Sequence, residues 1–418
     1  AEGYSRLIGP KMQDRAESST QTETISTIER LITGFSDLAW GTPLLILLLG
    51  GGLFFLLYSR LLPFRYFRHA VAILRGKYDD PDEPGQINHY QALSTALAAT
   101  VGMGNITGVA LAITMGGPGA IFWMWVSALL GVTTKYFTCT LAVMYRGRDS
   151  SGELQGGPMY VIVEGLGRNW KPLAVFFSLM GMIGVLPMFQ VNQLTQVIRD
   201  VVLIPNQVSA GFRSNLISGL IVAVIVGVVI FGGIKRIGKV TGRMVPVMVV
   251  LYVISVLFII VSSPQNILPS FGLIFRDAFS AESVLGGALG ALVITGVRRA
   301  AFSNEASIGT APMAHGAAKT NEPVREGLVA MLGPVVDTII VCTMTALALI
   351  MTGVWDAGES DGIPLTADSF EKAMPGVGSY LLTVCVAVFS LSTMMSIPYY
   401  GTKFYTFIFG ARSSDLYK

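Results

Sequence analysis

Long apolar runs alternate with short polar, mostly basic stretches along almost the whole chain. Nine runs stand out, at about residues 38–58, 92–115, 119–144, 173–198, 214–233, 244–262, 284–300, 327–353 and 378–409. Their lengths approach or exceed the roughly 20 apolar residues a helix needs to cross a bilayer. None alternates in the manner of a strand, so the pattern predicts an all-α polytopic membrane protein. The last run is long and carries Pro398, which predicts a break there and an end that tilts or lies in the interface.

The second run contains a contradiction. Thr100-Val101-Gly102-Met103-Gly104-Asn105-Ile106-Thr107-Gly108 puts poor helix residues at its middle. Irregular backbone at membrane depth persists only where protein buries it or it lines a watery cavity. Interrupted helices of this kind point to the binding site of a secondary transporter. The residues then predict an unwound helix whose amides hold a carboxylate and whose carbonyls hold a cation. Asn105 adds a neutral oxygen suited to a hard ion such as sodium. A small-residue packing face is the competing reading. A dinucleotide-binding turn is excluded, because no strand precedes the glycines.

A second interruption is predicted in the seventh run, where Gly286, Gly287 and Gly290 precede Thr295-Gly296 and then Phe302-Ser303-Asn304-Glu305-Ala306. Thr295 and Gly296 are its candidate substrate contacts. The two interruptions lie five spans apart, as an inverted repeat of five plus five helices requires. The first span is then an extra N-terminal helix, and two core helices are expected beyond Lys418. In the fourth run, Gln190 and Gln193 share a helix face after Pro187, and Gln190, nearest mid-span, is the expected substrate contact. Ser390, Ser392 and Thr393 can complete a sodium shell or bond to the preceding helical turn. Asp337, inside a span, suits an ion or proton relay or a paired carboxylate.

Composition narrows the class. The 418 residues are 52% hydrophobic and 13% charged, with mean hydropathy +0.60. A soluble protein carries roughly 25% charged residues. The net charge of +3 gives no reason to expect a nucleic-acid partner. Cys139, Cys342 and Cys385 lie in apolar runs and form no metal-binding motif. His69, His89 and His315 fall at expected loop or interface positions, and no catalytic set emerges, so no enzyme and no cofactor are expected. Most of the 29 basic residues cluster at 60–77, 146–171, 235–243, 298–325 and 403–418. These clusters predict a cytoplasmic face there and an outside N-terminus. On that reading Arg298 and Arg299 anchor a cytoplasmic helix end, and the acidic loop 355–361 faces outward. Residues 1–36 form a polar tail, and 37–418 the membrane domain.

Several blocks resemble the alanine/glycine:cation symporter family: Asn105–Ala110, Gly116–Trp125, Gly156–Tyr160, Phe302–Ala306, Thr310–Pro312 and Tyr399–Gly401. The resemblance runs from about residue 40 to 410. It implies a sodium-coupled, in some members proton-coupled, carrier of small neutral amino acids in the bacterial inner membrane, with the leucine-transporter type of inverted repeat. It further implies that the amides of Met103 and Gly104, flanked by Gly102, bind the substrate carboxylate. Thr100 and Asn105 would join one sodium site. The carbonyls of Ala98 and Val101, with Ser392 and Thr393, would form another. Met103 and Ile397-Pro398 depart from the family pattern near the expected pocket, where Thr and a Trp-Ser pair are usual. An ion-only channel or exchanger, or a non-transporting sensor, would use the same broken helix differently.

Overall fold

The computed structural model describes residue 30 and residues 33–36, 39–207, 211–279, 288–356 and 362–417. Most of the polar tail, Gly286, Gly287 and residues 357–361 of the acidic loop lie outside these. The chain divides into two units, Ala1–Leu44 and Leu45–Lys418. In the first, residues 33–36 are helical.

The second unit is helical apart from one small hairpin, Gly147–Arg148 with Leu154–Gln155. Its principal helices are α1 (Gly51–Tyr58), α2 (His89–Thr100), α3 (Met103–Gly116), α4 (Ala120–Met144), α5 (Lys171–Gly184) and α6 (Met188–Val197). They continue with α7 (Phe212–Ile230), α8 (Gly233–Ser262), α9 (Ile267–Ala278) and α10 (Ala288–Asn304). The last three are α11 (Pro323–Thr352), α12 (Gly362–Ala373) and α13 (Gly378–Phe409). Among the described residues six helices are long and apolar enough to cross a bilayer, and the bent pair α2–α3 makes a seventh. The described part of α10 is 17 residues long.

Three boundaries differ from the sequence pattern. The basic stretch 235–243 is not a loop but the first turns of α8, where long basic side chains extend a helix past its apolar stretch. Pro398 does not break α13, which runs for 32 residues, about 48 Å at 1.5 Å per residue. That exceeds a hydrocarbon core of about 30 Å, so α13 tilts or projects beyond it. The seventh run does not end at residue 300. Its helix continues to Asn304 and stops at Glu305, which adopts φ 51°.

Small residues set how closely these helices meet. Lipid gives apolar side chains no reason to associate, so backbone approach and packing drive the contact. A methyl group at Gly296 would lie 2.5 Å from the Ala120 carbonyl oxygen and 2.8 Å from Trp123 Cβ. Thus Gly296 seats α10 on α4. Thr295 packs beside Gly116, and Ser303 lies beside Gly104. The order 104–116 against 303–295 makes α3 and α10 antiparallel. The basic loops collect at one end of the bundle: Arg146 donates to the carbonyls of Gly316, Ala318 and Thr320, Lys319 to that of Pro81, and Gln86 to Glu153.

Gly296→Val should therefore separate α10 from α4. A loss of about 1–3 kcal/mol is expected for such overpacking, read as a lowered melting temperature of the detergent-solubilised protein. An unchanged melting temperature would show that the seam is not close-packed.

Candidate functional site

The break between α2 and α3 is a bend of 42°. Asn88 opens α2 with a reciprocal cap, its side chain accepting from the Gln91 amide while its own amide donates to the Gln91 side chain. The helix closes at Thr100. Val101 turns extended at φ −74°, ψ 96°, and Gly102 is fully extended at φ −157°, ψ −144°. Glycine is needed at 102 because a Cβ there would fall 2.5 Å from Thr393 Oγ1. Met103 and Gly104 then begin α3, where the first N–H groups have no intrahelical acceptor. Their positive dipole end faces a cavity of about 340 Å³.

Four elements line this cavity. The break contributes Thr100, Gly102, Met103 and Gly104; the turn after α5 contributes Val185 and Leu186, and the start of α6 contributes Phe189 and Gln190. The break after α10 contributes Phe302, Glu305 and Thr310, and α13 contributes Thr393, Ile397 and Phe404. Two edge-to-face aromatic pairs border it, Phe189 with Phe302 at 6.1 Å and Phe177 with Phe404 at 5.3 Å. Gly181 leaves room for the Phe404 ring. Pro187 follows the end of α5 at Gly184, so the α5–α6 span is itself interrupted, at 185–187, where it meets the cavity.

The cation candidates converge only in part. Ser392 Oγ lies 3.5 Å from the Ala98 carbonyl oxygen, and Thr393 Oγ1 sits against Gly102. Both hydroxyls donate to the Phe389 carbonyl, at 2.8 and 3.1 Å, which leaves their lone pairs free. Val101 is buried at the break. Ser390 is buried without a hydrogen-bond partner for its hydroxyl. Thr100 donates to the Leu97 carbonyl at 3.4 Å and lines the cavity.

Asn105 does not line the cavity. Its Oδ1 accepts from the Gly102 amide at 2.8 Å, and its Nδ2 donates to the Asp337 carboxylate at 2.8 Å and to the Asp337 carbonyl at 3.1 Å. Asp337 sits in a widened turn, Val335–Cys342, inside α11. Turns of that kind recur at functional sites. Ser303 Oγ and Thr338 Oγ1 also donate to this carboxylate, each at 2.8 Å. One buried carboxylate thus joins the break before α3 to the end of α10. Beside it, Lys135 Nζ donates to the Asn304 carbonyl at 2.9 Å, and Asn304 Nδ2 donates to Thr338.

Several expectations change. Thr295 and Gly296 stand in unbroken helix at the α4 seam, away from the cavity; the interruption lies some ten residues later, between Asn304 and Ala311. Glycine there serves close packing rather than unwinding. Arg298 and Arg299 are not anchors at the basic end. Arg299 reaches Met115 Sδ near the opposite end of α3, because the helix carrying it runs on toward the break. Glu305 accepts from Thr310 Oγ1. Gln193 accepts from Thr107 and leaves Gln190 as the amide at the cavity. His89 and His315 are not loop histidines. Both are buried, and their Nδ1 atoms meet the two oxygens of buried Glu326.

The chain is similar to known proteins along most of its length. Residues 25–418 match the sodium:alanine symporter family. An uncharacterized transporter of Haemophilus influenzae is 42% identical over 403 residues, spanning 94% of this chain and 85% of its own. The sodium/alanine symporter AgcS of Methanococcus maripaludis is 40% identical over 397 residues, 93% of this chain and 85% of that protein. The probable sodium/glutamine symporter GlnT of Bacillus subtilis is 34% identical over 379 residues, 90% and 76% of the two chains.

Asp337→Ala removes the acceptor that two hydroxyls and the Asn105 amide share. Leaving buried donors unsatisfied costs about 1–3 kcal/mol each. The variant should melt well below the parent and show faster hydrogen exchange around residues 101–106. Parent-like melting and exchange would mean that the carboxylate does not hold the break.

Proposed function

Because the chain belongs to the sodium:alanine symporter family, we propose that it couples the inward movement of sodium to the uptake of a small neutral amino acid, alanine or glycine first among them. It is a multi-pass membrane transporter and not an enzyme. The observation that carries the reading is the cavity at the 101–102 break. There the free amide end of α3 and the side chain of Thr393 line one cavity.

In this reading the substrate carboxylate sits on the amides of Met103 and Gly104, supported by the helix dipole. Gln190 reaches the substrate from the opposite wall. Sodium takes the Ala98 and Val101 carbonyls with the Ser392 and Thr393 hydroxyls, an all-oxygen set suited to a hard cation. Thr100 and Asn105 offer a second ion position, since the Asn105 oxygen that accepts from Gly102 keeps another lone pair. An ion bound there stiffens the extended residues 101–102 and so fixes the amides that receive the carboxylate. Binding of each then favours binding of the other, by reciprocal linkage. Transport follows when the pair prefers one facing state over the other.

The basic end of the bundle faces the cytoplasm in this reading, by the excess of Lys and Arg in its loops, and the N-terminus lies outside in a bacterial inner membrane. The antiparallel pairing of α3 with α10 supports an inverted repeat of the leucine-transporter type. Relatives carry names for alanine and for glutamine. Met103 and Ile397, which border the cavity, are therefore the proposed selectors of side-chain size.

Proteoliposomes should accumulate labelled alanine or glycine only with an inward sodium gradient. Uptake that survives collapse of the gradient would reject sodium coupling and favour a proton-coupled carrier. Sodium flux without any amino-acid dependence would favour an ion-only exchanger. Thr393→Val should raise the half-saturating sodium concentration about tenfold or more, equivalent to one lost hard-ion ligand worth about 1.4 kcal/mol. Unchanged sodium dependence would remove Thr393 from the ion site.

A further inference from the structure

The cavity lined by the free amides also holds a charged residue that the carboxylate-binding scheme leaves unused. Among the described lining residues Glu305 is the only one with a formal charge. It stands where α10 has ended and the chain unwinds, with a backbone φ of 51°. That left-handed region is unfavourable for residues other than glycine, and such strain persists where surrounding structure holds it, often at ligand sites. One carboxylate oxygen, Oε2, accepts from Thr310 Oγ1, itself a cavity residue. This bond fixes the rotamer and leaves Oε1 available to a ligand. Glu305 is half-buried, so it is neither a solvated surface acid nor a sealed core group.

Phe302 and Ser303, on the same strand of chain, lie against Gly104, within 3.5 Å of where its Cβ would be. Two residues after this packed segment, the carboxylate of Glu305 lines the same cavity as Met103 and Gly104 at the amide end of α3. A positive dipole end and a carboxylate lining one small cavity match the two ends of a zwitterion.

We infer that Glu305 is the counter-ion for the α-ammonium group of the substrate, and that the cavity selects α-amino acids over simple carboxylates through it. The inference rests on the proposed amino-acid uptake and goes beyond it, because carboxylate capture at Met103 and Gly104 alone would accept any small organic acid. The ammonium donates to Oε1, and Thr310 holds the carboxylate in place. The uncharged walls, Phe302, Ile397 and Phe404 among them, exclude water and strengthen the pair.

The test uses the full chain in detergent with sodium present, and probes of defined chemistry: L-alanine, glycine, L-glutamine, L-lactate and propionate. The parent protein should bind at least one of the amino acids, and should bind lactate and propionate at least about tenfold more weakly, as expected for loss of a hydrogen bond between charged groups. Glu305→Gln should lose a similar factor for the amino acid and gain nothing for propionate. Glu305→Asp, which keeps the charge, should retain part of the affinity. Parent protein that binds propionate or lactate as tightly as the amino acid overturns the inference without need of any variant. So does Glu305→Gln with parent affinity. Parent protein that binds none of the amino acids, with or without sodium, overturns the uptake proposal itself and with it this assignment.

Discussion

The carboxylate of Asp337 holds together the two places where the chain gives up helical hydrogen bonding. A backbone break inside a membrane leaves N–H and C=O groups with no water to satisfy them. Here the Gly102 amide is satisfied by Asn105 Oδ1, and Asn105 is held in turn by Asp337. Ser303, two residues before Glu305, donates to the same carboxylate. The two interruptions are thus parts of one hydrogen-bonded assembly built on the widened turn of α11. The free amides of α3 and the left-handed Glu305 owe their positions to it. Buried acids are costly unless satisfied, and three donors converge on this one.

A second buried carboxylate does related work at the basic end. Glu326, near the start of α11, bonds to His89 in the first turn of α2 and to His315 at the end of the short helix that follows the second break. The two acids lie on one element, α11, separated by 11 positions. Each joins the chain of one interrupted helix to that of the other. The helix α11 therefore acts as a strut between the interruptions, and the cavity opens on the side it does not occupy.

Legibility of this arrangement in the sequence varied with the kind of signal. The first break was readable, because Gly102, Gly104 and Asn105 are poor helix residues in an apolar setting. Local composition alone marked it. The second was located too early, because Thr295-Gly296 looks like a helix breaker. Glycine permits both unwinding and close packing, and only the partner backbone at Ala120 decides between them. Charge misled at Arg298 and Arg299 for a related reason. Arginines after an apolar run resemble a helix end, yet the helix continues and the following residues turn inward to Asp337. Gln190 was readable as a polar residue beyond Pro187, but its neighbour Gln193 was not separable from it by spacing. The partners of Asp337 and of Glu326 were not readable at all. Thr338 apart, they are brought together across 11 to 237 residues of chain, and one sequence carries no record of pairing.

The central claim is that the extended residues at 101–102 present bare peptide groups to a solute and its companion ion. The most direct measurement is an experimental structure of the protein with sodium and L-alanine bound, at a resolution that shows the solute's orientation. The account predicts the carboxylate within about 3 Å of the Met103 and Gly104 amides, a hydrogen-bond distance, with an ion beside Thr393. A continuous helix through Gly102, or a solute bound with its carboxylate elsewhere, would contradict it.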